Sequence, residues 1–174
     1  MTGKVIFMAK NKKTFRVGEK KRFVPSPAGT AYVSLLRAAD KLRTFFETVC
    51  VPFDITNQQY NVLRILRGAE PEGLPTLTIA ERMIERTPGI TRMIDRLEAK
   101  GLVVREIRPA DRRCVHCRIT EKGLNLLELL AAPVEEANQA AFRGLNEGEI
   151  EQIIELLEKT REAHEGEYTN EKQN

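Results

Sequence analysis

The chain has 174 residues, of which 41% are hydrophobic and 30% are charged. These proportions are typical of a soluble globular protein with one domain, or with one lobe and a dimerisation arm. No apolar run approaches the roughly 20 residues that span a bilayer, and the chain starts with too short an apolar run for a secretion signal, so a cytoplasmic protein without membrane contacts is expected. Three cysteines are too few for a disulfide-rich scaffold.

The net charge of +3 is the sum of segments with opposite signs. Residues 1–25 have a net charge of +7, residues 86–118 have +5, and residues 121–174 have −8. This asymmetry indicates that a basic face binds a polyanion while the acidic remainder keeps the protein soluble. Solvated charge runs are the alternative, and for the N-terminal stretch both interpretations stay open.

The first third of the chain predicts an arm and two helices. Residues 1–28 lack helical periodicity and end in a Pro-Ser-Pro run, which predicts a flexible or extended arm. In residues 30–49 apolar side chains recur every three or four positions, as in an amphipathic helix, and Pro52 ends it. Thr56 is a good N-cap for the second helix.

The middle of the chain predicts two short helices joined by a tight turn. The first extends from Thr76 to about Met83. For the second, Thr87 is the expected N-cap and Pro88 the first helical position, where proline is tolerated. Gly101 is placed to end this helix in the left-handed conformation. One side of the helix carries Ile90, Met93, Ile94 and Leu97, and the other carries Thr91, Arg92, Asp95, Arg96 and Glu98.

A hairpin with a basic tip follows. Residues 102–107 and 114–119 are short β-prone runs around a Pro-Ala-Asp turn, and the tip carries Arg108, Arg112 and Arg113. Two short helices with a tight turn, followed by a basic hairpin, are the parts of a winged helix-turn-helix. An α-helix fits the major groove of B-DNA, about 12 Å wide, and a basic wing can reach phosphates or the minor groove.

Two long helices are predicted after the hairpin. Thr120 caps the first of them, in which Pro133 is expected to cause a kink. Asn146 and Glu149 resemble a capping box that opens the last helix, which is expected to fray beyond about His164.

The predicted fold is mainly α with a small β-hairpin wing, a winged helix-turn-helix lobe plus a helical dimerisation region. Three long amphipathic helices carry more apolar surface than one small lobe can cover, which predicts a homodimer. The predicted divisions are an arm at 1–28, a dimerisation region at 29–55 and 120–165, a DNA-binding lobe at 56–119, and a disordered tail at 166–174.

The residues expected to contact double-stranded DNA lie on the second short helix and on the hairpin tip. Arg92 and Arg96 are four positions apart, so both can point outward from one helix face. Thr91 and the backbone amides at the helix start can bind phosphate. The predicted DNA-binding residues are Thr87, Pro88, Gly89, Thr91, Arg92, Arg96, Arg108, Arg112 and Arg113.

Four stretches of the sequence resemble the MarR family of transcriptional regulators, over about residues 30–161. They are Ile79-Ala80-Glu81-Arg82-Met83, the run from Gly89 to Val103, Asp111-Arg112-Arg113, and Ile119-Thr120-Glu121-Lys122-Gly123. The resemblance implies an obligate dimer held by the first and the last two helices, with a DNA-binding lobe on each subunit.

The resemblance also implies roles for single residues. Arg113 would enter the minor groove, and Asp111 would hold the shape of the wing by pairing with a nearby arginine. Thr91 and Arg92 would be recognition-helix contacts. The basic N-terminal arm and the Cys-Val-His-Cys run at 114–117 depart from the family pattern.

Other chemistries have weaker support. Cys114, His116 and Cys117 are residue types that bind zinc, but strand alternation sends Cys114 and Cys117 to opposite faces, which favours a core Cys117, an exposed Cys114 and no metal. Cys50 has no flanking cation to lower its pKa, so it is interpreted as a buried apolar residue rather than an oxidation-sensing thiol. The sequence contains no catalytic constellation or glycine-rich phosphate loop, so neither an enzyme nor a cofactor is predicted.

The sequence thus predicts a sequence-specific transcription regulator, a repressor that binds a pseudo-palindromic operator as a homodimer and is released by a small molecule. An aromatic or phenolic effector is expected in a crevice between the dimerisation helices and the lobe, with Phe45, Phe46 and Tyr60 as candidate contacts. Two alternatives stay open: a winged-helix module that binds an acidic partner protein, and a thiol-based redox-sensing regulator.

Overall fold

The computed structural model describes residues 26–84, 89–107 and 115–169, with side chains as far as residue 106 in the second segment and residue 163 in the third. The predictions for the arm at 1–25 and for residues 170–174 lie outside the described residues. So do those for Thr87, Pro88, Arg108, Asp111, Arg112, Arg113 and Cys114.

The described chain is mainly helical with one small antiparallel sheet, as the sequence predicts. The helices are α1 (Pro27–Cys50), α2 (Asn57–Arg67), α3 (Thr76–Arg82), α4 (Ile90–Ala99), α5 (Glu121–Phe142) and α6 (Glu147–Thr169), with a 3₁₀ turn at Val51–Phe53. The strands are β1 (Leu74–Pro75), β2 (Val103–Ile107) and β3 (Val115–Ile119).

The chain divides into two compact units, with the boundary between Ala39 and Asp40 inside α1. In the first unit the backbone N–H of Gly29 donates to Ser26 Oγ at 3.0 Å, and Pro27 is the first residue of α1. Proline suits this position because its missing N–H would have no partner in the helix. The helix therefore starts at Pro27, before the predicted residue 30.

In the second unit, local capping sets the start of α2. The Thr56 hydroxyl accepts from the N–H of Gln59 at 3.1 Å, and the Gln59 side chain accepts from the N–H of Thr56 at 3.0 Å. These two bonds form a capping box, which satisfies amides that the helix leaves without partners. The predicted start near Thr56 is confirmed.

The sheet has the strand order β1-β3-β2, and both neighbouring pairs are antiparallel. The hairpin of β2 and β3 pairs Val103 with Ile119 and Arg105 with Cys117, as the β-prone runs predict. The strand β1, in which Leu74 pairs with Cys117, was not predicted from the sequence. A two-residue strand that contains a proline is too short to show alternating apolar and polar residues. It is defined only by its pairing with β3.

The described part of α4 begins at Ile90, with Gly89 as N-cap at a φ of 95°. The end of the helix agrees with the prediction. At the other end Gly101 has a φ of 69°, and the N–H of Leu102 donates to the carbonyl of Leu97 at 3.0 Å. This Schellman pattern with a left-handed glycine is the predicted helix stop.

The core lies between α2, α3, α4, the sheet and the first half of α5. Each fully buried aliphatic side chain there stabilises the fold by about 2 kcal/mol. Fully or almost fully buried residues include Val62, Leu63, Leu66, Ile79, Ile94, Leu97, Val103, Cys117, Leu127 and Leu130. Among the described side chains, α6 contributes none to this core.

The two last helices have the predicted caps. The Thr120 hydroxyl accepts from the N–H of Gly123 at 3.1 Å. Asn146 and Glu149 exchange hydrogen bonds of 2.8 and 3.0 Å between side chain and backbone. The last helix extends to residue 169, past the predicted fraying near His164. None of the described helices has the length and hydropathy needed to cross a membrane.

Candidate nucleic-acid interface

The helix α4 is anchored on one side and open on the other. Ile94 and Leu97 are fully buried, and Ile90 and Met93 pack partly buried against the same core. Because side chains repeat every 3.6 residues, this leaves the opposite side facing solvent. The exposed residues on that side are Thr91, Arg92, Asp95 and Arg96, as the sequence predicts.

The exposed side of α4 has a basic edge formed by Arg92 and Arg96, one helical turn apart. Arg96 also lines a surface groove of about 530 Å³, together with Asp54 and Lys100. The Lys100 ammonium lies 2.9 Å from the Asp54 carboxylate. The basic edge therefore continues past the end of the helix, and two acidic residues, Asp54 and Glu47, line the same groove.

The other edge of α4 is engaged by Arg105 of β2. The Arg105 guanidinium donates from Nη2 to Asp95 Oδ1 at 2.7 Å and from Nη1 to a carboxylate oxygen of Glu98. Nη2 also lies 3.4 Å from the carbonyl oxygen of Thr91. Asp95 and Glu98, which the sequence predicts on the exposed side of the helix, are thus paired with Arg105 of the hairpin.

The electrostatics of this cluster keep Arg105 charged. Burial alone would lower the pKa of Arg105, but the hydrogen bonds and negative charges of Asp95 and Glu98 outweigh burial, and its pKa lies above the ordinary value. The cluster is a three-residue charge network with a net charge of −1 at neutral pH.

A second arginine in the hairpin, Arg118 of β3, has partners outside α4. Its Nη1 donates to Glu106 Oε2 at 3.1 Å, and its Nη2 lies 3.9 Å from Glu70. These contacts stay within the sheet and the turn before β1. Of the two hairpin arginines within the described strands, Arg105 is the one that contacts α4.

The far end of α4 is tied to α5. The Thr120 hydroxyl donates to the carbonyl of Gly101 at 2.7 Å, and the Lys122 ammonium donates to the carbonyl of Lys100 at 2.8 Å. These two bonds satisfy carbonyl groups that follow the last helical turn. The position of α4 is therefore fixed at its side by the core and at its end by the start of α5.

Comparison with known proteins identifies the family of this chain. The MarR family model matches residues 55–115, from the approach to α2 through β3's first residue. The crystal structure of a MarR transcription factor from Planctomyces limnophilus has 39% sequence identity and a TM-score of 0.60, and the match covers 79% of this chain and 98% of that one. The chain belongs to the MarR family.

Two other solved structures share the winged-helix fold of this MarR-family chain. The complex of S. aureus MepR with DNA has 28% identity and a TM-score of 0.67, covering 76% of this chain and 97% of that one. Bordetella bronchiseptica BpsR, whose DNA binding is regulated by 6-hydroxynicotinic acid, has 28% identity and a TM-score of 0.66, covering 76% and 98%.

The cysteines of this MarR-family chain are buried where they are described. Cys117 is completely buried, and its Sγ lies 3.6 Å from the Thr76 hydroxyl, as expected for a core residue. Cys50 is 1% exposed, and burial, reinforced by the negative charge of Glu47, raises its pKa to about 11. In the described part of the chain, no three His, Cys, Asp or Glu side chains lie together as a metal site.

The three aromatic residues predicted to contact a ligand lie on α1 and α2 in this family member. Phe45 and Phe46 touch edge to face, with ring centroids 5.8 Å apart. Phe45 also lines a groove of about 390 Å³ beside Phe53 and Pro133. Tyr60 lies instead under the guanidinium of Arg64, 5.9 Å from its ring centre.

Arg105 is the residue of this interface that sequence reasoning missed. Its partners lie on a different element, and no local pattern pairs a strand arginine with a helix carboxylate. The available signal was a single arginine at the centre of a β-prone run, directly after a helix with carboxylates at positions 95 and 98.

Proposed function

We propose that this MarR-family chain is a sequence-specific regulator of transcription that binds double-stranded DNA as a homodimer in the cytoplasm, without a cofactor or a catalytic step. The observation that supports the proposal is the exposure of basic side chains on one side of α4. Arg92 and Arg96 are exposed on a helix whose opposite side, at Ile94 and Leu97, is completely buried.

In this proposal α4 lies in the major groove and the wing reaches the adjacent minor groove. A helix fits a groove about 12 Å wide, and exposed arginines donate to guanine edges and to phosphates. The solved MepR–DNA complex is a relative with the same fold. The proposed contacts are Thr87, Pro88, Gly89, Thr91, Arg92, Arg96, Arg108, Arg112 and Arg113, with Asp111 supporting the wing.

Unpartnered apolar residues support the proposed homodimer. On α6, Ile154 and Leu157 are 56% and 42% exposed and lie on one helix face. On α1, Tyr32 and Leu36 are exposed as well. Exposed large apolar side chains at helical spacing favour burial against a second subunit. A dimer would present two recognition helices about 34 Å apart, the spacing of successive major grooves.

We further propose that the protein is a repressor that a small aromatic or phenolic molecule releases from its operator. The DNA binding of BpsR is regulated by 6-hydroxynicotinic acid, an aromatic molecule. In this chain the groove beside Phe45, Phe53 and Pro133 offers an apolar, partly aromatic wall for such a ligand. Ligand binding would change the separation of the two lobes, and both half-site contacts would weaken together.

Selection from a random DNA pool tests the proposal. A regulator should enrich a pseudo-palindromic sequence. Arg92→Ala should then weaken binding to that sequence by about tenfold or more and relax preference at one position of each half-site. Gel-shift titrations over a series of salt concentrations measure both effects.

Lys159→Ala is the matched control for Arg92→Ala. It also removes one positive charge from an exposed helical residue, but Lys159 lies on α6 and pairs with Glu155 at 2.6 Å. Its affinity for the selected sequence should stay within about threefold of wild type. Salt-sensitive binding without any enriched sequence would instead indicate the winged-helix module that binds an acidic partner.

A further inference from the structure

Arg105 makes contacts that the proposed DNA contacts do not explain. Its side chain is 24% exposed, and its two terminal nitrogens reach the carboxylates of Asp95 and Glu98. One of them also approaches the Thr91 carbonyl. A planar guanidinium can hold two carboxylates in a fixed relative position, which an ammonium group cannot do.

The two carboxylates lie where negative charge opposes the proposed function. The Asp95 side chain is 55% exposed, and it lies between Thr91 and Arg92 around the open side of α4. An unpaired carboxylate at this place would repel the phosphates of a bound duplex. The charge of Arg105, whose Nη2 lies 2.7 Å from Asp95 Oδ1, offsets this repulsion.

We infer, on the basis of the proposed DNA-binding function, that Arg105 is a positioning residue: it clamps the wing onto the recognition helix and screens Asp95 and Glu98 from phosphate. The helix α4 and the hairpin then meet the duplex as one preorganised surface. Binding is tighter because the wing is ordered before the complex forms.

A double-mutant cycle separates this role from a direct DNA contact. Arg105→Gln should weaken binding to the selected sequence by about tenfold in the wild-type background. In the Asp95→Asn/Glu98→Gln background the same change should cost no more than about threefold, because the carboxylates that it uncovers are gone. Equal losses in both backgrounds would show that Arg105 contacts DNA itself and would overturn the inference.

Two further variants control for charge and for folding. Arg118→Gln removes an arginine from the same hairpin whose partners are Glu106 and Glu70, and its affinity should stay within about threefold of wild type. Arg105→Lys keeps the charge but loses the two-armed geometry, so its affinity should lie between those of Arg105→Gln and wild type. A lysine variant equal to Arg105→Gln with an unchanged thermal midpoint would contradict the screening role.

Hydrogen exchange in the DNA-free protein tests the clamp without reference to DNA. The amides of β2 should exchange about tenfold faster in Arg105→Gln, and equally fast in Asp95→Asn/Glu98→Gln, since both break the same contact. Unchanged exchange in both variants would overturn the clamp. If the wild-type chain enriches no DNA sequence while exchange responds as expected, the proposed function fails and the clamp stands.

Discussion

At the scale of single residues, Cys50 shows how burial determines thiol chemistry. The side chain is 1% exposed, and the raised pKa, about 11 instead of 9.0, means that the neutral thiol is favoured. At about pH 8 the reactive thiolate is therefore about a hundredfold scarcer than for an unperturbed cysteine. We expect alkylation of Cys50 in the folded protein to be slower by at least this factor, as measured by peptide mass spectrometry.

The control for Cys50 is the same residue in denaturant, where burial and the charge of Glu47 no longer act and alkylation should reach the rate of a free cysteine. Equal rates in the folded and unfolded protein would revive the thiol-based redox-sensing alternative, which requires an accessible thiolate. A slow rate supports the interpretation of Cys50 as a packing residue.

The exposure or burial of a side chain was predictable where it depends on one element alone. Cys117 follows from strand alternation, and Arg92 and Arg96 follow from helical periodicity, because each depends only on which side of its own element faces the core. The role of Arg105 depends on carboxylates of another element. The pairing of Arg105 with Asp95 and Glu98 depends on the tertiary structure, and neither periodicity nor net charge predicts it.

At the scale of elements, Gly123 shows how closely α5 meets the loop after α4. A β-carbon at this position would lie 2.5 Å from the carbonyl oxygen of Leu102 and 2.6 Å from Cγ1 of Ile119. Alanine normally stabilises a helix relative to glycine by up to about 1 kcal/mol. Here we expect Gly123→Ala to lower the free energy of unfolding by about 2 kcal/mol, because a backbone carbonyl cannot move aside cheaply.

Urea denaturation measures this loss, and Gly144→Ala is its matched control. No atom lies within 4 Å of a β-carbon built on Gly144, so the free energy of unfolding should change by less than about 0.5 kcal/mol. If both substitutions proved equally mild, the close approach of α5 to Leu102 would not constrain the fold.

Element boundaries were predictable where the signal lies within a few residues. Thr56, Thr120 and Asn146 each cap the helix that follows them, and Gly101 ends α4, because capping depends on local backbone geometry. For α4 the structure uses the left-handed Gly89 as N-cap, where Ser, Thr, Asp or Asn is more usual, so the local signal at this boundary is weaker. The strand β1 is defined only by its pairing with β3, so no local pattern predicts it.

At the scale of the whole molecule, positive and negative charge are concentrated in different segments of the chain. The segment 86–118 that contains α4 and the hairpin has a net charge of +5, and the segment 121–174 that contains α5 and α6 has −8. A polyanion is attracted to the first and repelled by the second. The acidic helices are thus unsuited to bind DNA, and their exposed apolar residues favour a protein partner, for which the proposed second copy is the simplest choice.

Substitution of Leu157 tests that assignment. Leu157→Glu places a charge on the apolar face of α6 that also includes Ile154, and burying an unpaired charge in a subunit contact is costly. We expect the dimer dissociation constant to rise by about a hundredfold or more. Sedimentation analysis should then show monomers, and these should lose affinity for the two-half-site operator because only one recognition helix remains per particle.

Leu77→Glu is the matched control, since Leu77 is 71% exposed but belongs to α3 in the winged lobe. It introduces the same charge at a more exposed leucine and should leave the sedimentation behaviour unchanged. If Leu157→Glu stayed dimeric while Leu77→Glu dissociated, the subunits would meet through the winged lobes. The proposed subunit contact through α6, and with it the proposed spacing of the recognition helices, would then be wrong.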